Sequence, residues 1–167
     1  MTAPDFSTTI LVDQSPTAAF NAINNPRGWW SEEIEGETDK LDEEFTYHFE
    51  DLHYCQLKLI QVIPDKKIEW LVKYNYFKHT KDRSEWTGTK VCFDIDERNN
   101  KTELHFTHRG LTPEFECFSV CSNGWNQYIR QSLASLIKTG VGFPNATGTP
   151  RTEDEVRMRS LQETITR

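Results

Sequence analysis

TPEFECFSVCSNGWNQYIRQSLASLIKTGVGFP, residues Thr112 to Pro144, spells one long amphipathic helix. Pro113 suits a first helical turn, because its missing N–H would have no partner there in any case. Apolar side chains recur at Phe115, Phe118, Val120/Cys121, Trp125, Ile129, Leu133 and Leu136/Ile137, the three-and-four spacing that collects them on one face. Lys138 falls in the last turn, where a cation complements the dipole, and Gly140 stands at the left-handed stop position. About 25 residues at ~1.5 Å rise make a rod of roughly 40 Å, enough to cross a small domain. A stripe that long and that aromatic needs a broad apolar surface beneath it.

The remaining sequence supplies a sheet. Phe6–Val12 is a β-rich run. Ser15-Pro16 then reads as an N-cap followed by proline at the first helical position, and Ala18, Ala19, Phe20, Ala22 and Ile23 carry a short helix that Asn24-Asn25-Pro26 stops. Arg27–Ile34 (RGWWSEEI) reads as a second short helical turn, and the polar stretch after it as a loop, part of it able to pair as a strand. From Phe45 the pattern has period two: Phe45, Tyr47 and Phe49, then Leu57 and Leu59, with a one-step shift near Ile60–Ile63 that predicts a bulge. Pro64-Asp65-Lys66 turns a hairpin. Ile68, Trp70, Val72, Tyr74 and Tyr76 alternate on the next strand, so all five are expected on one face. After a polar break at Lys78–Glu85 come Val91, Phe93 and Ile95, a turn at Asn99-Asn100, and Leu104, Phe106 and His108. A strand, two short helices, an antiparallel meander and a C-terminal helix make an α+β domain, expected over residues 1–144. Residues 145–167 are expected to form a charged tail, frayed and solvated; its thin Val156–Arg159–Leu161–Ile165 face would otherwise dock as a helix on its own domain or on a second copy.

Composition narrows the function classes. The chain has 167 residues, 36% hydrophobic and 12% aromatic, and a net charge of −7. With a pI near 5.2, nucleic acid and anionic membrane surfaces are not expected partners. No apolar run is long enough for a membrane insertion, and the start has neither the basic nor the apolar part of a signal peptide. Cys55, Cys92, Cys117 and Cys121 show no disulfide-framework spacing and read as buried thiols of a cytoplasmic protein.

Catalytic and metal chemistry find little support. His105 and His108 are an odd number apart on a strand, so they point to opposite faces and cannot join Cys117 and Cys121 around zinc; no metal and no cofactor is expected. There is no nucleophile elbow and no glycine-rich phosphate loop ahead of a helix. The aromatic residues are more informative. If a sheet wraps the long helix, many of them face the gap and either fill it as core or line a cavity with a few orienting polar groups. The candidate lining set is Trp30, Trp70, Tyr74, Phe93, His108, Phe118, Ser122 and Trp125, with His108 the polar member on the face of Leu104 and Phe106.

Three stretches resemble a known family. SPTAAFNAINNPRGWW after the first strand, ELHFTHRGL at the last strand, and NGWNQYIRQSLASLIKTGVGFP are similar to motifs of the START-like (helix-grip, SRPBCC, birch-pollen-allergen-like) superfamily, in the branch related to the C-terminal domain of the activator of heat-shock-protein-90 ATPase. The resemblance covers about residues 5 to 144. It implies a curved antiparallel sheet wrapped around the long helix, with two short helices after the first strand and an apolar cavity between. Members bind lipids, sterols, polyketides or other hydrophobic compounds. Some are cyclases or hydrolases, through cavity residues that have no match here, and the namesake's co-chaperone activity depends on a separate N-terminal domain that this chain is not expected to contain.

The expected function is therefore binding of a small hydrophobic or amphipathic, lipid-like ligand, without catalysis, by a monomer or weak homodimer. The alternatives are a co-chaperone-like interaction protein with a chaperone or other protein partner, and a cyclase or hydrolase using His108 as general base. Trp125→Ala should cost about 3–5 kcal/mol of stability if Trp125 is core. An unchanged melting temperature would show that it is misplaced.

Overall fold

A computed structural model describes residues 4–78, 80–145, 152 and 155–157. Seven antiparallel strands form one sheet in the order β1-β7-β6-β5-β4-β3-β2. They are β1 (Phe6–Val12), β2 (Glu35–Gly36), β3 (Glu44–Phe49), β4 (His53–Ile63), β5 (Lys67–Phe77), β6 (Lys90–Arg98) and β7 (Lys101–Arg109). The first and last long strands pair from Phe6↔His108 to Val12↔Thr102, which brings the strand ahead of the helices beside the strand ahead of the C-terminal rod. Asn99 and Asn100 adopt φ of 55° and 65° in the β6–β7 turn, a conformation asparagine tolerates better than most residues.

Helix α1 (Pro16–Ile23) starts as expected, with Ser15 Oγ accepting the Ala18 N–H at 3.1 Å. A short 3₁₀ turn, Pro26–Gly28, stands where a second helical turn was expected, and it leads into Trp29 and Trp30. The C-terminal rod consists of α2 (Phe118–Gln127), a π-helical stretch Tyr128–Leu133, and α3 (Ala134–Thr139). It ends at Gly140 with φ 85°, the predicted left-handed cap. The α+β helix-grip arrangement is the one expected, a curved sheet gripping a long C-terminal helix.

Two local expectations are corrected. The helix begins at Phe118 and not at Pro113, because the Glu85 carboxylate, from the loop between β5 and β6, accepts the Glu116 N–H at 2.7 Å and the Cys117 N–H at 3.0 Å. A distant side chain caps the rod, and no local signal shows it. On β5 the register slips between Gln56↔Tyr74 and Leu57↔Val72, leaving Lys73 as an extra residue. That bulge reverses the facing of everything beyond it. Tyr74 is 48% exposed on the outer face, while Asn75 and Phe77 turn inward. Tyr74 does not face the interior.

The chain beyond the rod folds back across the 3₁₀ turn. Ser132 Oγ donates to the Trp29 carbonyl at 2.7 Å and accepts the Phe143 N–H at 2.7 Å, tying three segments at one buried hydroxyl. Asn145 N–H donates to the Trp30 carbonyl at 3.0 Å, and Glu32 N–H to the Asn145 carbonyl at 2.9 Å. A Cβ on Gly142 would lie 2.2 Å from the Gly28 carbonyl oxygen, so two backbones meet where no side chain fits. Gly142→Ala must push them apart and should cost about 1–3 kcal/mol, read as a lower urea midpoint.

Candidate functional site

The gap between sheet and rod is filled with rings. Trp30 stacks on Tyr47 at 4.1 Å and on Trp70 at 5.9 Å, and meets Trp125 at 5.1 Å. Trp29 lies on Trp70 at 6.4 Å, and Phe93 packs edge-on to Trp70 at 5.0 Å and to Phe106 at 5.2 Å. Trp70 and Phe93 have no exposed surface. Trp125 hangs from the rod into this layer between Phe106 (4.8 Å) and Trp86 (5.7 Å).

Its indole N–H sets the state of His108. Trp125 Nε1 donates to His108 Nδ1 at 3.0 Å, and an indole nitrogen can only donate, so Nδ1 carries the lone pair. The proton is then on Nε2, which donates to Thr89 Oγ1 at 2.8 Å, and that hydroxyl donates to the Trp86 carbonyl at 2.5 Å. Each donor in this run from Trp125 to the Trp86 carbonyl has one acceptor. Burial of the ring, with a smaller contribution from His53, lowers the His108 pKa to about 3. Both nitrogens of the neutral imidazole are engaged, so His108 offers no lone pair to a proton-transfer partner.

A cavity of about 70 Å³ remains beside this layer. Trp30, Tyr47, His53, Phe77, Trp86 and Trp125 form its aromatic walls, the turn of α2 at Val120, Cys121 and Gly124 one rim, and Tyr128, Thr152 and Glu155 the other. His53 is half-buried among Tyr47, Phe77 and Trp86, with Nε2 3.0 Å from Asn75 Oδ1; its shielding from water lowers its pKa to about 3. On the far rim, Tyr128 O–H lies 2.8 and 2.7 Å from the two Glu155 carboxylate oxygens, and Asn145 Nδ2 donates to the Tyr128 hydroxyl at 2.9 Å. Burial and then the neighbouring Tyr47 and Glu155 push the Tyr128 pKa upward; burial followed by Glu155 does the same for Tyr47. Thr152 and Glu155 form a capping box: Thr152 Oγ1 accepts the Glu155 N–H at 3.0 Å, and Glu155 Oε1 accepts the Thr152 N–H at 3.1 Å. Both residues are buried, so this part of the expected frayed tail is packed against the domain. Arg159, Leu161 and Ile165 lie outside the described residues.

Of the eight candidate lining residues, the structure places Trp30 and Trp125 in the cavity wall. Trp70, Phe93 and His108 are buried in the packed layer behind it. Phe118 is partly buried against the core, Ser122 Oγ is buried with no hydrogen-bond partner among the described residues, and neither lines the cavity; Tyr74 is on the opposite face of the sheet. The lining residues not singled out include Tyr47, His53, Trp86, Tyr128 and Glu155. Tyr47 shares a period-two face with Phe45 and Phe49, and the T-x-x-E spacing at Thr152–Glu155 is a readable helix-start signal. His53 and Tyr128 carry none. The four cysteines are buried and free, as read, and no three His, Cys, Asp or Glu side chains among the described residues converge as metal ligands.

A long C-terminal helix gripped by a curved antiparallel sheet, with a small aromatic cavity between them, defines a helix-grip domain. Residues 13–138 match the family model described as Activator of Hsp90 ATPase homolog 1-like protein, and the chain belongs to that family. Among solved structures, the Aha1 dimer from Colwellia psychrerythraea is 20% identical, with a TM-score of 0.67 over 83% of this chain and 99% of that one. CalU16 from Micromonospora echinospora is 14% identical, with a TM-score of 0.60 over 93% of this chain and 81% of that one. DynU16, a putative protein in the dynemicin biosynthetic locus, is 14% identical at a TM-score of 0.62, covering 83% of this chain and 49% of its own. No curated protein matches the chain in sequence. No helix among the described residues is long and apolar enough to cross a membrane.

The His108 environment predicts a pH response. The unfolded chain takes up a proton as pH falls below 6.5, whereas the folded ring resists it until about 3. Stability is therefore complete above 6.5 and is lost as pH drops toward 3, with His108 accounting for about 2 kcal/mol between pH 7.5 and 5. Urea midpoints at the two pH values measure it. His108→Gln should be less stable at pH 7.5 yet show a flatter change across the interval.

Proposed function

We propose that this protein is a binding module for a small amphipathic molecule, whose apolar or aromatic part enters the cavity between α2 and the sheet. One observation carries the reading: an otherwise close-packed aromatic core keeps a space open at Tyr47, His53, Trp86 and Tyr128, with a rim of polar groups. At about 70 Å³ the space is well below the roughly 300–1,000 Å³ of a site that encloses a drug-sized ligand. The bound portion is therefore a single small group, and a whole lipid chain enters only if the Glu155 segment or α2 moves aside. Kinship with the activator family and the fold shared with CalU16 and DynU16, the second from a biosynthetic locus, are in keeping with a small-molecule role. Four buried, unpaired thiols suit the reducing cytoplasm.

A second reading, contact with a chaperone or with another copy, draws on the exposed Val141 and Phe143 just beyond the rod and on the dimeric state of the Colwellia protein. Sedimentation across a concentration series tests the self-association part of it; one unchanging monomer would remove the homodimer.

Gly124 offers a direct test of the cavity. It sits mid-helix in the cavity wall, and a Cβ there would meet nothing within 4 Å. Gly124→Ala should stabilise the protein by about 0.5–1 kcal/mol through helix propensity. Gly124→Leu should keep the fold and fill the opening. Native mass spectrometry of freshly purified wild type should reveal a co-purifying small molecule that the Leu variant lacks. Retention of the same molecule by both proteins would place its site elsewhere.

A further inference from the structure

Five of the cavity-lining rings form a closed circuit. Trp30 meets Tyr47 at 4.1 Å, Tyr47 meets His53 at 5.1 Å, His53 meets Trp86 at 4.9 Å, Trp86 meets Trp125 at 5.7 Å, and Trp125 returns to Trp30 at 5.1 Å. These rings come from the turn after α1, from β3, β4 and the β5–β6 loop, and from α2. Only the tertiary fold assembles them. The rim opposite is set by Glu155, the sole carboxylate of the described lining, and that lining holds no lysine or arginine.

We propose that the small apolar group entering the cavity is the alkylated head of an ammonium, so that the ligand of the binding module is a small organic cation. The proposal rests on the ligand-binding reading above and adds the charge of the ligand. The faces of aromatic rings carry negative electrostatic potential, and a methylated or alkylated ammonium presents a weakly hydrated surface that those faces attract. Glu155 supplies a full negative charge at the same opening. Its position on the wall is held by Tyr128 O–H at 2.7 and 2.8 Å and by the Thr152 N–H at 3.1 Å. Attraction of a cation to that carboxylate is Coulombic through the cavity and needs no vacant lone pair on it. The nearest titratable ring, His53, contributes no opposing charge, because its shielded imidazole stays neutral down to about pH 3. The same features discriminate against other heads. An anionic head would be placed against the Glu155 carboxylate and the negative faces of the rings, and a neutral head would gain dispersion alone. The whole-protein charge of −7 also favours the approach of a cation over that of an anion.

The test compares three probes of equal reach, hexyltrimethylammonium, 1-heptanol and heptanoate, by titration against the tryptophan fluorescence of the full chain at low and at physiological salt. The expected result is a Kd for the ammonium at least tenfold below that of the alcohol, with heptanoate weakest. In Glu155→Gln the ammonium-to-alcohol ratio should fall severalfold. Trp86→Leu, which opens the ring circuit without touching the carboxylate, should also shrink the ratio, and it keeps the test decisive if Glu155→Gln fails to fold. Equal binding of ammonium and alcohol, or tighter binding of heptanoate, overturns the cation selectivity while leaving the cavity a ligand site. A ratio unaltered in both variants overturns it as well, by placing the selectivity elsewhere. Saturable binding of none of the three overturns both the selectivity and the ligand-binding reading beneath it.

Discussion

The contact on which everything else depends is that between the indole of Trp125 and the concave face of the sheet. Tryptophans fill the gap between the rod and the sheet from both sides. Trp125 descends from the rod, Trp30 lies flat between it and Trp70, and Trp86 closes the side. Burying an indole also buries its N–H, which costs roughly 1–3 kcal/mol if left unpaired. The run Trp125–His108–Thr89–Trp86 carbonyl answers that requirement and fixes the histidine tautomer on the way. A histidine that a sequence reader would set aside for catalysis is thus part of the support of a tryptophan.

Two irregularities of backbone border the cavity. The extra residue at Lys73 turns Phe77 inward and Tyr74 outward. The π-helical stretch Tyr128–Leu133 lies in the rod where Tyr128, Ile129, Ser132 and Leu133 are buried. Bulges and π turns both shift side-chain phase by one residue, and both recur near functional sites. Here they act on opposite walls of one space. Tyr128 reaches Glu155, and Phe77 backs His53 and Trp86.

The segment beyond the rod belongs to the site. Asn145 bonds the backbone beside Trp30 and, through its amide, the hydroxyl of Tyr128. Glu155 then accepts the Tyr128 O–H hydrogen bond and completes the rim. The polar end of the cavity therefore depends on residues that lie past the stretch matched by the family model, which ends at residue 138.

Much of this was legible in the chain itself. The Ser15 cap, the Gly140 stop, the period-two strands, the turns at Asp65 and Asn99-Asn100 and the four buried thiols follow from local propensity and pattern, because each is decided by neighbours a few residues away. Trp125 stands on the apolar stripe that the three-and-four spacing marks, and the structure puts it in the cavity wall with Trp30. Other features had no local signature. Capping of the rod by Glu85, reversal of Tyr74 by the β5 bulge, the demotion of Trp70 and Phe93 to packed core, and the docking of Glu155 on Tyr128 each depend on contacts between residues far apart in the chain. Periodicity tells which face of an element is apolar. Whether the facing side chains close on one another or leave a space is a matter of volumes and angles across the gap, and the tertiary structure alone decides it.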